Sequence, residues 1–143
     1  MRSRRLTAGV LRHVIGFILL ATAVGKLVDV RGFAAVLESY RALPPASLGA
    51  FAVAIPAAEL LLALWLFSGR NTLGAAVSSA AMHAAYATWS AAALGRGLVI
   101  PNCGCFGVFL ARPLTWETVG EDLAMVALSL LLARLSTPVA EAA

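Results

Sequence analysis

The sequence predicts an all-α integral membrane protein, a four-helix bundle with a short interfacial helix between the first and second spans. Three observations carry this. Of the 143 residues, 61% are hydrophobic and only 13% are charged, about half the ~25% charge of soluble domains. Four apolar runs each approach the ~20 residues needed to cross a bilayer, and the mean hydropathy of the chain is +0.89. No alternating strand pattern competes, and the Ala and Leu content favours helix. Backbone groups in lipid must satisfy one another, so a helical bundle follows. The length suits one domain, residues 1–143. The formal charge of +4 is spread among hydrophobic runs, so there is no basic face for nucleic acid.

The first span is expected at about residues 9–28. Arg2, Arg4, Arg5 and Arg12 lead it, which places the N-terminus in the cytoplasm and offers an anionic-lipid contact. An alternative makes this run a signal peptide with Ala21-Thr22-Ala23 as its cleavage site, although the apolar run continues past that point. Lys26 and Asp29, three residues apart at the outer end, can pair on one helix face. That is an interfacial salt bridge with a snorkelling lysine; otherwise the two help line the mouth of the bundle.

The first outward connection is patterned. Phe33, Val36, Leu37 and Tyr40 recur at helical spacing, with Arg31, Glu38 and Arg41 mostly off that face. Leu43-Pro44-Pro45 ends the segment, because proline cannot continue the hydrogen-bond ladder. The expectation is a short interfacial helix over the bundle mouth.

The second and third spans are expected at 46–67 and 73–94, joined by a cytoplasmic turn that contains Arg70. Glu59 and His83 fall at similar depth on these antiparallel helices. An ionisable group inside lipid is expensive and marks a functional site by default. A Glu59–His83 pair would serve as a proton relay or as a structural hydrogen bond. Pro56, three residues before Glu59, frees a backbone carbonyl and favours a kink. The fourth span, at 118–135, returns the C-terminus to the cytoplasm. Trp65, Trp89 and Trp116 fall towards span ends, as in an aromatic belt.

The third connection holds the only two cysteines, in Pro101-Asn102-Cys103-Gly104-Cys105-Phe106-Gly107. Disulfide scaffolds close long loops, whereas a bridge across one residue removes little unfolded-state entropy. Gly104 adopts backbone angles closed to other residues, which lets the two sulfurs approach. Gly107 and Pro101 bracket the turn. A Cys103–Cys105 bond would be strained and easily reduced, as in an exchanging disulfide. Zinc is disfavoured because it usually takes four ligands. A two-coordinate soft ion, Cu(I) or Hg(II), would accept two thiolates, so Cys103 and Cys105 remain alternative metal ligands.

Gly25-Lys26-Leu27-Val28-Asp29, then Gly32-Phe33, Tyr40, Leu43-Pro44, Ile55-Pro56-Ala57-Ala58-Glu59-Leu60 and Cys103-Gly104-Cys105-Phe106-Gly107 resemble the methylamine utilisation protein MauE family, itself related to the DoxX-like membrane proteins. The likeness runs from about Gly16 to Leu132, and the Cys-Gly-Cys-Phe-Gly element is its most specific part. It implies a four-span protein of the bacterial inner membrane; the arginine-led first span and the four crossings place both termini in the cytoplasm and the Cys-Gly-Cys loop outside. It implies a role in maturing the small, disulfide-rich subunit of methylamine dehydrogenase, beside a thioredoxin-like partner. Cys103 and Cys105 would be the redox pair. Lys26, Asp29, Tyr40, Pro56 and Glu59 would support it, together with Gly104, Phe106, Gly107 and His83 from the residue reading.

The leading expectation is a membrane thiol-disulfide or electron relay for an extracytoplasmic client, an accessory disulfide oxidoreductase if it catalyses alone. Cys103, which precedes the flexible Gly104, is the expected attacking thiol. Electrons would be exchanged with a thioredoxin-like domain or with a quinone in the bundle, and no sequence feature names the quinone. Two alternatives stay open: soft-metal binding or transport, and a non-catalytic assembly factor with dispensable cysteines.

Overall fold

The computed structural model describes residues 2–137, which form five α-helices, one 3₁₀ turn and no strand. The helices are α1 (Arg2–Leu27), α2 (Val30–Ser39), α3 (Leu48–Ser68), α4 (Thr72–Gly95) and α5 (Trp116–Ser136), with the 3₁₀ turn at Pro45–Ser47. All five expected helices exist, and α1 begins seven residues before the expected start of the first span.

Local chemistry sets the breaks. Asp29 caps α2 by accepting the Gly32 N–H at 2.8 Å, which turns the chain out of α1. Pro44 and Pro45 lack the N–H that a continuing helix needs and open the 3₁₀ turn instead. Asn71 caps α4 through Gly74 N–H. A Thr115–Thr118 capping box starts α5. Pro56 is buried inside α3, whose helix runs unbroken through it.

Packing follows side-chain size. The central core joins Ile15 and Leu19 of α1, Leu62 and Leu66 of α3, Ala75 and Ala76 of α4 and Leu132 of α5. The buried face of α4 is mostly Ala and Ser, small side chains that let helices approach closely. Ser79 and Ser129 hydrogen-bond across α4 and α5 at 2.9 Å, both fully buried. Phe33 and Leu37 of α2 pack on Ala52 of α3, so the expected apolar face of the short helix lies against the body of the protein. Large apolar side chains such as Leu6, Phe17, Leu61 and Leu123 face outward.

The two ends of the molecule differ. Arg4 donates to the Arg134 and Thr137 carbonyls at 2.9 and 2.8 Å, which brings the start of α1 to the end of α5. Arg12 lies against Gly69 in the α3–α4 turn. At the other end α2 and the long α4–α5 loop come together. Among the described residues, two segments are long and apolar enough to cross a membrane, Arg2–Leu27 and Pro45–Ser68. The expected third and fourth spans are helical but less apolar. Ser78, Ser79, His83, Thr88 and Ser90 lower α4, and Glu117, Glu121, Asp122 and Arg134 lower α5.

Candidate functional site

The site is built around a buried cation. Lys26 Nζ donates to both Glu59 carboxylate oxygens, at 2.8 and 2.9 Å, and to the Cys105 carbonyl at 2.9 Å. All three ammonium hydrogens are therefore used. Tyr86 of α4 donates its hydroxyl to Glu59 Oε1 at 2.8 Å. Lys26 is 4% exposed and Glu59 1%. The cluster joins α1, α3, α4 and the cysteine loop through one charge pair.

This corrects two pairings expected from spacing. Lys26 does not pair with Asp29, because Asp29 caps α2 while Lys26 turns inward to Glu59. Nor does Glu59 pair with His83. His83 Nδ1 instead faces Asp122 Oδ1 of α5 at 3.3 Å. An internal carboxylate binds the full charge of a lysine more strongly than an imidazole, and α5 brings a second acid to the histidine.

The cysteine loop is held by its carbonyls and its glycines. Tyr40 donates its hydroxyl to the Cys103 carbonyl at 2.7 Å, as Lys26 does to that of Cys105. Burial pushes the Tyr40 phenol up, so it remains a donor. Asn102 Oδ1 accepts the Gly104 N–H at 2.9 Å, and its Nδ2 donates to the Gly107 carbonyl at 3.1 Å. Cys103 N–H donates to the Arg112 carbonyl at 2.8 Å. Gly104 has φ 78° and Gly107 φ 71°, left-handed angles that favour glycine. A side chain at Gly107 would also strike the Gly25 carbonyl of α1. Phe106 lies against α1 through its own backbone, which abuts Gly25.

Within this frame the sulfurs of Cys103 and Cys105 are free thiols that hydrogen-bond to each other across 2.9 Å. The hydrogen bond from Cys105 is the main cause that holds the Cys103 thiol down at about 6, and the Arg112 guanidinium beside it acts in the same direction. Cys105 keeps the shared proton and is pushed up by that bond and by burial. Arg112 also binds Glu121 through both terminal nitrogens, which keeps the guanidinium protonated. Its Nε is buried without a hydrogen-bond partner. The surroundings favour a thiolate at Cys103 beside a protonated Cys105, next to the Arg112 guanidinium.

A cavity of about 260 Å³ lies beside the pair. Phe33, Leu37 and Tyr40 of α2, Ile55 of α3, Tyr86 and Trp89 of α4 form much of its wall, and Lys26, His83, Asp122, Cys103 and Cys105 also reach it. Trp89, expected in an aromatic belt, packs on Tyr40 with ring centres 5.8 Å apart.

Sequence reasoning did not single out Tyr86, Arg112 or Asp122. Asp122, an acid within an apolar run, carried the same signal that marked Glu59. Tyr86 and Arg112 had none. Among the described residues, no three His, Cys, Asp or Glu side chains gather as a three-ligand metal site would require.

Fold and site together define a helical protein with two helices long and apolar enough to cross a membrane and a loop-borne dithiol beside an apolar cavity. The family model for methylamine utilisation protein MauE matches residues 4–135. The chain belongs to that family, and with its two long apolar helices this points to a membrane protein. It is 32% identical over 123 residues to methylamine utilization protein MauE of Paracoccus denitrificans, covering 86% of this chain and 66% of that relative. The match thus takes in slightly less than two thirds of the relative's length. No solved structure matches.

Two outcomes are expected of this geometry. Glu59→Leu or Lys26→Met alone should destabilise the detergent-solubilised protein by ~3–5 kcal/mol, because each leaves a buried partner unpaired. The double variant should recover much of that loss in denaturant unfolding; strictly additive losses would show that the pair is not coupled. For the thiols, a lowered pKa means that the thiolate persists above it and is lost as pH falls. Alkylation of Cys103 should thus be half-maximal near pH 6, and Arg112→Gln should move the midpoint upward. A midpoint near the ~8.5 of a free cysteine would contradict the assignment.

Proposed function

We propose that this protein is a four-span membrane thiol-disulfide relay that supports maturation of an extracytoplasmic protein. The observation that carries this reading is the Cys103–Cys105 pair, two free thiols 2.9 Å apart, with Cys103 held at about 6. Thiolate character governs exchange. At neutral pH Cys103 is the nucleophile and Cys105 the protonated partner that resolves the exchange.

In one direction the Cys103 thiolate attacks a partner disulfide, which breaks the partner's S–S bond and leaves a mixed disulfide. Cys105 then gives up its proton and attacks Cys103. The partner leaves as a dithiol, and the Cys103–Cys105 bond remains. The reverse sequence oxidises a partner dithiol. The family membership supports methylamine utilisation as the setting. A thioredoxin-like protein is the natural exchange partner and the disulfide-rich small subunit of methylamine dehydrogenase the natural client.

Arg2, Arg4, Arg5, Arg12 and Arg70 share the end that holds the start of α1, the α3–α4 turn and the end of α5, which supports a cytoplasmic location for that end. Lys26, at the other end, is buried in an ion pair, and Arg96 is engaged with the Tyr40 and Arg41 carbonyls. The cysteine loop then faces the oxidising side of the bacterial inner membrane.

Cys105→Ser should accumulate a reductant-sensitive adduct with a thiol partner through Cys103, and Cys103→Ser should not; full maturation activity in the double Cys→Ser variant would overturn the relay. A membrane-impermeant thiol reagent should label the loop in spheroplasts before lysis. Labelling only after the membrane is opened would reverse the orientation.

A further inference from the structure

We propose that the cavity beside Cys103 and Cys105 is a binding site for the head group of a membrane quinone, which reoxidises the dithiol. This rests on the relay reading and gives it an electron acceptor and a direction. Four observations converge on it.

The first is the shape and position of the cavity. Its volume of about 260 Å³ is below the ~300–1,000 Å³ of sites that enclose a drug-sized ligand. A substituted six-membered ring fits; a long isoprenoid tail does not, and must leave through an opening. Phe51 of α3 and Ala85 of α4 both line the cavity and are both exposed. That opens the site sideways between two helices, towards the apolar exterior that lipid would cover.

The second is the wall, where Phe33, Tyr40, Tyr86 and Trp89 supply flat apolar faces. Planar rings stack on such faces.

The third is an orphaned polar atom. His83 is 5% exposed and lines the cavity, and its Nε2 has no hydrogen-bond partner. Its Nδ1 is occupied by Asp122, which orients the ring and leaves Nε2 as the free position. Buried polar atoms are rarely left unsatisfied, and each exception asks for an explanation. Nε2–H of the protonated ring donates to a quinone carbonyl, and the unprotonated Nε2 accepts from the hydroxyl of the quinol it becomes.

The fourth is the position of the thiols in the same wall, so an electron acceptor in the cavity sits beside its donor. The step balances. The Cys105 S–H bond breaks and one S–S bond forms between its sulfur and the Cys103 thiolate, which releases two electrons and one proton. The quinone takes up the two electrons, that proton and a second one from the protonated His83 ring through Nε2, its two C=O groups become C–OH, and it leaves as the quinol. His83 is reprotonated from water. The Cys103–Cys105 disulfide so formed then oxidises partner dithiols.

The test uses the full chain, reduced with a dithiol, freed of reductant and placed in quinone-free lipid nanodiscs. Decylubiquinone or a short-tailed menaquinone is added under nitrogen. The expected result is loss of quinone absorbance with one disulfide formed per quinone consumed, and quenching of tryptophan fluorescence on binding. A preference between the two probes tells which ring the cavity fits. His83→Ala should weaken quinone affinity about tenfold, as loss of one buried hydrogen bond to a ligand predicts. Ala85→Trp at the mouth gives a second variant, expected to slow quinone reduction without touching either thiol. Retained helical circular dichroism qualifies both variants.

Wild-type protein that exchanges with a dithiol peptide but neither binds nor reduces either quinone overturns this inference alone. Protein that reduces quinone equally well after His83→Ala and Ala85→Trp overturns the assignment to this cavity. Failure of both exchange and quinone reduction removes the relay reading as well.

Discussion

Everything at the cysteine end depends on one buried ion pair, Lys26 with Glu59. Taking two charges out of water is costly, and their attraction compensates only when the remaining hydrogen-bonding capacity is also filled. Here it is. The ammonium spends its third hydrogen on the Cys105 carbonyl, and the carboxylate accepts a further bond from Tyr86. The pair therefore adds little as net stability but a great deal as specification. Any movement of α1 against α3, or of the loop against either, strands a charge away from solvent.

That constraint explains how a loop can hold two sulfurs in contact. Lys26 and Tyr40 grip the carbonyls of the two cysteines, and Asn102 closes the turn beneath them. Gly104 and Gly107 supply left-handed backbone, and Gly107 lets the loop seat against Gly25 of α1. The thiols are thus placed through backbone contacts made by α1, by the end of α2 and by the loop itself. Arg112 is different, because it supplies the positive charge that favours a thiolate at Cys103.

The residue patterns made some of this legible. The face Phe33–Leu37–Tyr40 could be read from spacing, and all three side chains are buried. Glu59 and His83 were conspicuous because ionisable groups are rare in apolar runs, and both occupy the site. Their partners were not legible. Spacing along a helix suggested Lys26 with Asp29, yet Asp29 is drawn away by an unpaired N–H at the start of α2. Depth suggested Glu59 with His83, yet depth says nothing about rotation of a helix about its own axis. That rotation turns Lys26 and Tyr86 towards Glu59 and leaves His83 to Asp122. Arg112, one of several basic residues on a loop, carried no mark at all.

By itself the sequence determined the helical class, the positions of the helices and the presence of a dithiol turn. Each of these follows from local chemistry: apolar run length, proline and cap placement, and cysteine spacing across one glycine. Only the tertiary structure decided which charges pair, which cysteine holds the thiolate and where the apolar cavity opens. Those outcomes depend on helix rotation and on contacts between residues far apart in the chain, such as Lys26 with Cys105. Chain-local patterns do not encode such contacts.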